Sequence, residues 1–388
     1  MINVLFQNRD FLRRKAYFYR MLNGSKELNE YYGSKNFEEL NEEVEEKIAE
    51  YLKVDYSVLT SSGLSALKNL LDLLPIKKDQ KLYLQAYTCK QLAQISAKKI
   101  KPELIDIDET FNANLTKLSK AEKGNYFLAI NSYGKPLNMK QVMEISERKK
   151  LTVIEDIAHA FGAKIGNKKL GSFTGLGIAS LRKNMACGIG GAIITNNKQI
   201  YSNAKKKTLK LKHKSKKDFL GIASLYLKKK FRKMNYPYIL YSKSIPLNEN
   251  ENILPTRLSL CIILNQIKKI DSVIEKNQEN AKYLINKLKK EKVETPKISK
   301  GEKHAFTRFL ITFKKNKSEE IVKEFNEKRF DVGLFYKKDF ELNVNFTGKN
   351  EKNYPKSLEV ANQSVPVSVI GLNKKDLNEI IELTKKHS

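Results

Sequence analysis

The sequence has few cysteines, no long apolar run and a shortage of acidic residues, and each scarcity removes a class of protein. Three cysteines in 388 residues, Cys89, Cys187 and Cys261, have no metal-ligand spacing and are odd in number. That argues against a disulfide framework or a metal site and fits reduced, mostly buried thiols. No apolar run approaches the roughly 18 residues a membrane span requires. Met1 to Arg20 is charged throughout, where a secretory leader would have an apolar centre. A cytoplasmic protein is therefore expected. Acidic residues number 43 against 73 lysines and arginines, a formal net charge of +30. Such a surplus either covers solvated faces or serves an anionic partner.

Against these absences stands one dense stretch, Val153 to Asn196. The apolar run Leu151 to Ile154 reads as a buried strand that delivers Asp156 to its C-terminal end, the edge where open α/β sheets place ligands. A second run, Leu176 to Ala179, is followed by Ser180, Leu181, Arg182 and Lys183; Gly188, Gly190 and Gly191 then precede a third run, Ala192 to Thr195. Asp156 and Lys183 thus both fall beside strand ends. Pyridoxal phosphate chemistry needs these two residue types: an amine to form a Schiff base, and a carboxylate to keep the pyridine nitrogen protonated. Earlier in the chain, Thr60 to Gly63 offers capping residues and a flexible glycine. Leu64, Leu67, Leu70, Leu71 and Leu74 then recur at helical spacing. The pattern is strand, polar turn and amphipathic helix, and a helix start can hold a phosphate.

Several further segments, in order, make the chain resemble the sugar aminotransferases of the DegT/DnrJ/EryC1 type, within the fold-type-I pyridoxal phosphate enzymes. They are Tyr32-Gly33 with Phe37-Glu38 and a helical pattern from Glu42 to Tyr51; Ser61 to Leu67; Gln85 to Cys89; Glu103 to Asp108; Asn131 to Pro136; and Glu155 to Ala160. The resemblance implies an α/β fold, with a large domain whose mostly parallel seven-stranded sheet lies between helices, and a smaller C-terminal α+β domain. Residues 1–250 would form the N-terminal arm and large domain, and residues 251–388 a bridging helix and the small domain. It also implies roles. Lys183 would carry pyridoxal 5'-phosphate and shuttle a proton, and Asp156 would pair with the pyridinium nitrogen. His159 would lie against the phenolic oxygen or the ring face. Ser180, Ser62, Gly63 and Leu64 would bind the phosphate, with Asn252 reaching the phosphate of a neighbouring subunit in a shared-site homodimer.

The family pattern is altered at several of these positions. Leu64 stands for a threonine, which removes a hydroxyl and keeps the backbone N–H. Asn131, which the resemblance places among the cofactor-binding residues, stands for a histidine. Cys89 falls where many members stack an aromatic on the cofactor, leaving that role to Tyr87 or to a smaller contact. Tyr201 to Asn250 carries fourteen lysines and arginines against Asp218 and Glu249, with apolar residues interleaved. This elaboration could meet an anionic membrane surface or a phosphorylated substrate, with nucleic acid the least favoured partner. Downstream, Pro255 to Lys290 reads as one long helix. Strand-like runs Phe306 to Phe313 and Asp331 to Tyr336 alternate with helices Glu319 to Lys328 and Lys375 to Lys386.

The resulting expectation is an aminotransferase that moves an amino group from an amino acid, glutamate foremost, to a keto sugar carried by a nucleotide. Two other readings stay open: a catalytically silent relative acting as a regulator or scaffold, and a different pyridoxal phosphate reaction on a keto sugar or cyclitol.

Overall fold

The computed structural model describes residues 35–185, 187–209, 211–213, 253–314, 317–328, 330–334 and 336–388. Asn252, Tyr32 and Gly33, and residue 210 and residues 214–250 of the basic stretch, lie outside the described residues. Seven strands form the main sheet: β1 (Tyr56–Thr60), β2 (Lys81–Gln85), β3 (Lys101–Ile105), β4 (Tyr126–Ile130), β5 (Thr152–Asp156), β6 (Leu176–Ser180) and β7 (Gly191–Thr195). Their order is β1-β7-β6-β5-β4-β2-β3. Pairing from β3 through β6 is parallel, while β7 runs antiparallel to both β6 and β1. Every residue of β4 and β7 is buried, as a sheet covered on both faces requires.

The two faces follow from the two-residue period of a strand. Phe127, Ala129, Val153, Ala179, Ala192 and Ile194 point to one side, where they meet Val44, Ile48 and Leu52 of α1 (Phe37–Leu52) and Val142 and Ile145 of α4 (Met139–Lys149). Leu260, Ile263 and Leu264 of α7 (Arg257–Ile267) close that layer. Leu128, Ile130, Ile154, Ile178 and Ile193 point to the other side, toward Leu67, Leu70 and Leu71 of α2 (Gly63–Leu73) and Leu92 of α3 (Lys90–Ser96). Each such buried aliphatic side chain contributes about 1.5–3 kcal/mol. A four-residue helical turn, α5 (Leu181–Asn184), follows β6, and α6 (Lys198–Thr208) follows β7.

The C-terminal third builds a second, antiparallel sheet. Its order is Val293–Glu294, β8 (Phe309–Phe313) and β9 (Ser364–Val367). Phe309, Ile311, Phe313, Val365 and Val367 pack with Ile321 and Phe325 of α9 (Ser318–Glu327), and with Leu284 and Leu288 of α8 (Ile270–Leu288). Leu377 and Ile380 of α12 (Lys374–His387) complete that core. Between α9 and β9 lie α10 (Lys337–Phe346) and α11 (Pro355–Gln363). Their Phe340, Val344 and Val360 join the core on the α2 side of the main sheet.

Three sequence expectations are corrected. The helix expected over Pro255 to Lys290 is two helices, α7 and α8. The chain leaves helical geometry at Lys269 (φ −111°, ψ −1°), whose N–H bonds to Gln266 O three residues back. The strand expected from Phe306 begins only at Phe309, because Phe306 is left-handed (φ 45°) and its N–H turns onto His304 Nδ1 at 2.8 Å. Asp331 to Tyr336 is not a strand beyond one bridge, Val332 to Val367. Its neighbourhood spends N–H groups on local turns, Val332 to Phe330 O and Lys337 to Leu334 O.

Candidate active site

Asp156 is the last residue of β5 and only 4% exposed. Its Oδ1 accepts the Ala158 N–H at 2.8 Å. Burial raises its carboxyl above the ordinary carboxylate range, opposed by the charge of Lys183 and by the Ala158 bond. The adjacent Glu155 points to the opposite face, where it accepts from Gly171 N and Thr174 N and ties the following loop to the strand. Asn131 is fully engaged with backbone. Its Nδ2 donates to Ala129 O and Asp156 O, both at 3.2 Å, and its Oδ1 accepts from Leu137 N at 2.8 Å. It therefore fixes the end of β5 from the end of β4.

Ser180 ends β6, and Lys183 follows one turn later in α5. Lys183 is partly buried, and that desolvation pulls its ammonium down to about 8, against the opposing pull of Asp156. Cys89, Arg182 and Arg308 also act on this charge, so the lysine sits among residues drawn from four parts of the chain.

The Ser61–Gly63 turn is pressed onto the strand ends with no side chain between. Gly190 N donates to Ser61 O at 3.0 Å, and Leu181 N donates to Gly190 O at 3.0 Å. A Cβ on Gly191 would overlap the Ser62 carbonyl and lie 2.6 Å from Gly63 N; one on Gly63 would lie 3.2 Å from Ser180 Cβ. Ser62 caps α2, its hydroxyl accepting from Ser65 N at 3.2 Å. As first-turn residues, Gly63 and Leu64 have N–H groups with no intrahelical acceptor, and the helix dipole adds positive character there. The Ser180 hydroxyl makes no capping bond to α5. Ser62, Gly63 and Ser180 thus lie together at the ends of β1 and β6.

Beside it stands a cluster of four rings. Tyr133 Oη donates to Tyr87 Oη at 3.2 Å, and Tyr336 Oη pairs with His159 Nε2 at 2.9 Å. Tyr87 meets Tyr336 edge-on at 5.6 Å, and His159 lies nearly parallel to Tyr336 at 5.9 Å. Tyr133 adopts φ 55°, ψ 10°, a left-handed conformation that costs an aromatic residue on the order of 1–3 kcal/mol and persists only where surroundings enforce it. The turn is held against the Ala305–Arg308 segment, with Ala305 N donating to Gly134 O at 2.9 Å and Arg308 N to Tyr133 O at 3.4 Å, and a Cβ on Gly134 would meet Phe306 N at 2.9 Å. Burial, with Lys183 and Arg308 nearby, pushes the His159 imidazolium well below its usual range, so the ring is neutral. Cys89 Sγ donates to Gln91 Oε1 at 2.6 Å, and burial pushes its thiol up to about 11, which keeps it uncharged.

Sequence reasoning named Asp156, Lys183, His159, Tyr87 and Cys89, and missed Tyr133, Tyr336 and Arg308. Tyr133 lies inside the Asn131 to Pro136 segment and could have been marked by the glycine after it. Arg308, anchored by Asp331 through its carbonyl at 2.7 Å and its carboxylate at 2.9 Å, carried no signal, and neither did Tyr336.

The family model described as "DegT/DnrJ/EryC1/StrS aminotransferase family" matches residues 25–384. GDP-perosamine synthase of Escherichia coli O157:H7 is 31% identical over 165 residues, 40% of this chain and 45% of that protein. GDP-4-keto-6-deoxy-D-mannose 3-dehydratase of Yersinia pseudotuberculosis is 27% identical over 259 residues, 61% of each. The chain thus spans about half to three-fifths of the length of these curated relatives. Among solved structures, Helicobacter pylori PseC, an aminotransferase involved in the biosynthesis of pseudoaminic acid, superimposes with a TM-score of 0.77 at 18% identity, covering 94% of this chain and 95% of that one. With the strand order, the strand-end acid and lysine and the full-length family match in agreement, this chain belongs to the DegT/DnrJ/EryC1/StrS aminotransferase family.

Proposed function

We propose that the chain is a pyridoxal phosphate-dependent aminotransferase that moves an amino group from an amino acid, with glutamate as the donor, to a nucleotide-linked keto sugar. The observation that carries this reading is the grouping of Asp156, Lys183 and the Ser62–Leu64 helix start at adjoining strand ends, in a chain of this family. The residues fit the cofactor. Among the described residues, His159 Nδ1 is buried without a hydrogen-bond partner, Asp156 uses one oxygen on Ala158, and Gly63, the first residue of α2, has an N–H with no intrahelical acceptor. Asp156 would hold the pyridine nitrogen, Ser62, Gly63, Leu64 and Ser180 the phosphate, and Lys183 the aldehyde carbon.

When bound, the cofactor supplies an electrophilic carbon and an electron-withdrawing ring. Lys183 supplies the amine and afterwards moves a proton with Nζ, a task matched by an ammonium drawn down to about 8. Asp156 would accept a hydrogen bond from the protonated ring nitrogen, a partnership that would keep its carboxylate charged despite burial. Tyr87, Tyr133, His159 and Tyr336 wall the site against water.

The same reading includes a homodimer with a shared site, a division near residue 250 into large and small domains, and contact of the basic 201–250 segment with an anionic membrane surface. The separate core around β8 and β9 supports the division, and the net charge of +30 supports the contact. A dehydratase among the relatives favours a second reading, removal of a hydroxyl from a keto sugar. Family members that dehydrate typically lack the lysine, so Lys183 favours transamination.

The test is a single turnover. Purified protein loaded with pyridoxal phosphate should convert glutamate to 2-oxoglutarate, one equivalent per site, with the visible cofactor band lost. A band that glutamate leaves untouched, with no 2-oxoglutarate formed, would sink the glutamate-dependent reading.

A further inference from the structure

The Tyr336–His159 pair joins two parts of the chain 177 residues apart. His159 stands three residues after Asp156, on the loop leaving β5. Tyr336 stands at the start of α10, whose Asn343 Nδ2 donates to Ala86 O at 3.1 Å and Thr88 O at 3.0 Å. Those two carbonyls flank Tyr87, so α10 is anchored on the segment that carries the Tyr87 ring. The imidazole is consequently held at its Nε2 edge by Tyr336, and the Tyr133 ring lies edge-on to it at 5.9 Å. One ring nitrogen, Nε2, meets the Tyr336 hydroxyl; the other, Nδ1, is buried and unpartnered among the described residues.

A neutral imidazole carries one proton, and the hydrogen bond at one nitrogen decides where it sits. A phenol that donates to Nε2 leaves the proton on Nδ1. We propose that Tyr336 is a positioning residue that donates its hydroxyl proton to His159 Nε2 and so holds the imidazole as the Nδ1–H tautomer, reserving that N–H for the molecule bound beside Lys183. The assignment explains why a buried polar edge is left unmet: a buried donor with no acceptor is costly, and the ligand removes that cost. On the reading given above, the ligand atom is an oxygen of the cofactor or substrate. A hydroxyl-to-hydrogen change at Tyr336 removes the tautomer constraint and keeps the ring packing against Tyr87 and Tyr133.

The chain has four histidines, so histidine labelling gives a readable spectrum. Protein carrying 13C,15N-histidine, without added cofactor, is compared as wild type, Tyr336→Phe and Tyr133→Phe, with His159→Asn to assign the signal. The expected result is a wild-type His159 with its proton on Nδ1, the same in Tyr133→Phe, and a mixture shifted toward Nε2–H in Tyr336→Phe. A wild-type His159 protonated on Nε2, or a Tyr336→Phe spectrum identical to wild type, would overturn the proposal. If Tyr336→Phe fails to fold, the wild-type tautomer alone decides, since the Nε2–H form is incompatible with a donating Tyr336. Adding pyridoxal phosphate should then move the His159 Nδ1 resonance, and its dissociation constant should rise about 2- to 10-fold in Tyr336→Phe, the worth of one neutral hydrogen bond. An Nδ1–H tautomer lost in Tyr336→Phe while pyridoxal phosphate fails to bind wild type would leave the Tyr336 assignment standing and remove the cofactor reading.

Discussion

Lys183 and Asp156 are driven toward their neutral forms by the same cause, burial, and each is the largest opposing influence on the other. A bound ring that is cationic at its nitrogen would let Asp156 keep its charge and favour the neutral amine of Lys183. The consequence is a pH dependence. Below about 8 the Lys183 amine is protonated and unreactive, and each unit of acidification lowers the reactive fraction about tenfold. The rate of covalent capture of pyridoxal phosphate, followed in a stopped-flow spectrometer, should rise with pH and level off with a midpoint near 8. A midpoint near 10 would mean that Lys183 is not desolvated. Both residues were legible in the sequence because they fall just beyond apolar runs within an ordered set of segments that resembles the family; an acid or a lysine near a strand end would not have marked them alone. Tyr336 was not: its role depends on a partner 177 residues away, and nothing in Leu334 to Lys337 encodes that distance.

The turn between β1 and α2 shows how far strand and helix patterns carry. Leucines at helical spacing and a serine cap located α2 to within a residue of its observed start at Gly63. What the pattern did not contain is the contact of that turn with β7, which needs two glycines from separate parts of the chain. Gly191→Ala places a methyl group into the Ser62 carbonyl, backbone that has no rotamer to escape through. The expected cost is about 3 kcal/mol or more, read by urea denaturation, together with weakened phosphate binding. A variant as stable as wild type would mean that the turn can move away from β7. The split between α7 and α8 was illegible for a related reason. Lys268 and Lys269 are good helix residues, and the break at Lys269 reflects packing on both sides rather than local preference.

A mostly parallel sheet between helices was expected from the family resemblance and is what the strands form; the strand order itself was not legible, because it depends on which distant strands pair. The C-terminal sheet was less readable, because its turns at Phe306 and Val332 interrupt runs that look like strands. Charge acts on the whole molecule. With a surplus of 30 positive charges, binding to vesicles containing phosphatidylserine is expected at about 0.05 M salt. It should weaken strongly by about 0.3 M, where the screening length is shorter. Equal sedimentation with neutral and anionic vesicles would contradict the proposed surface contact.

The central claim is that Lys183 holds the cofactor. Protein incubated with pyridoxal phosphate, reduced with borohydride and digested should yield one peptide carrying the pyridoxyl mass, and fragmentation should place it on Lys183. A pyridoxyl group on another lysine, or no modified peptide at all, would contradict the account.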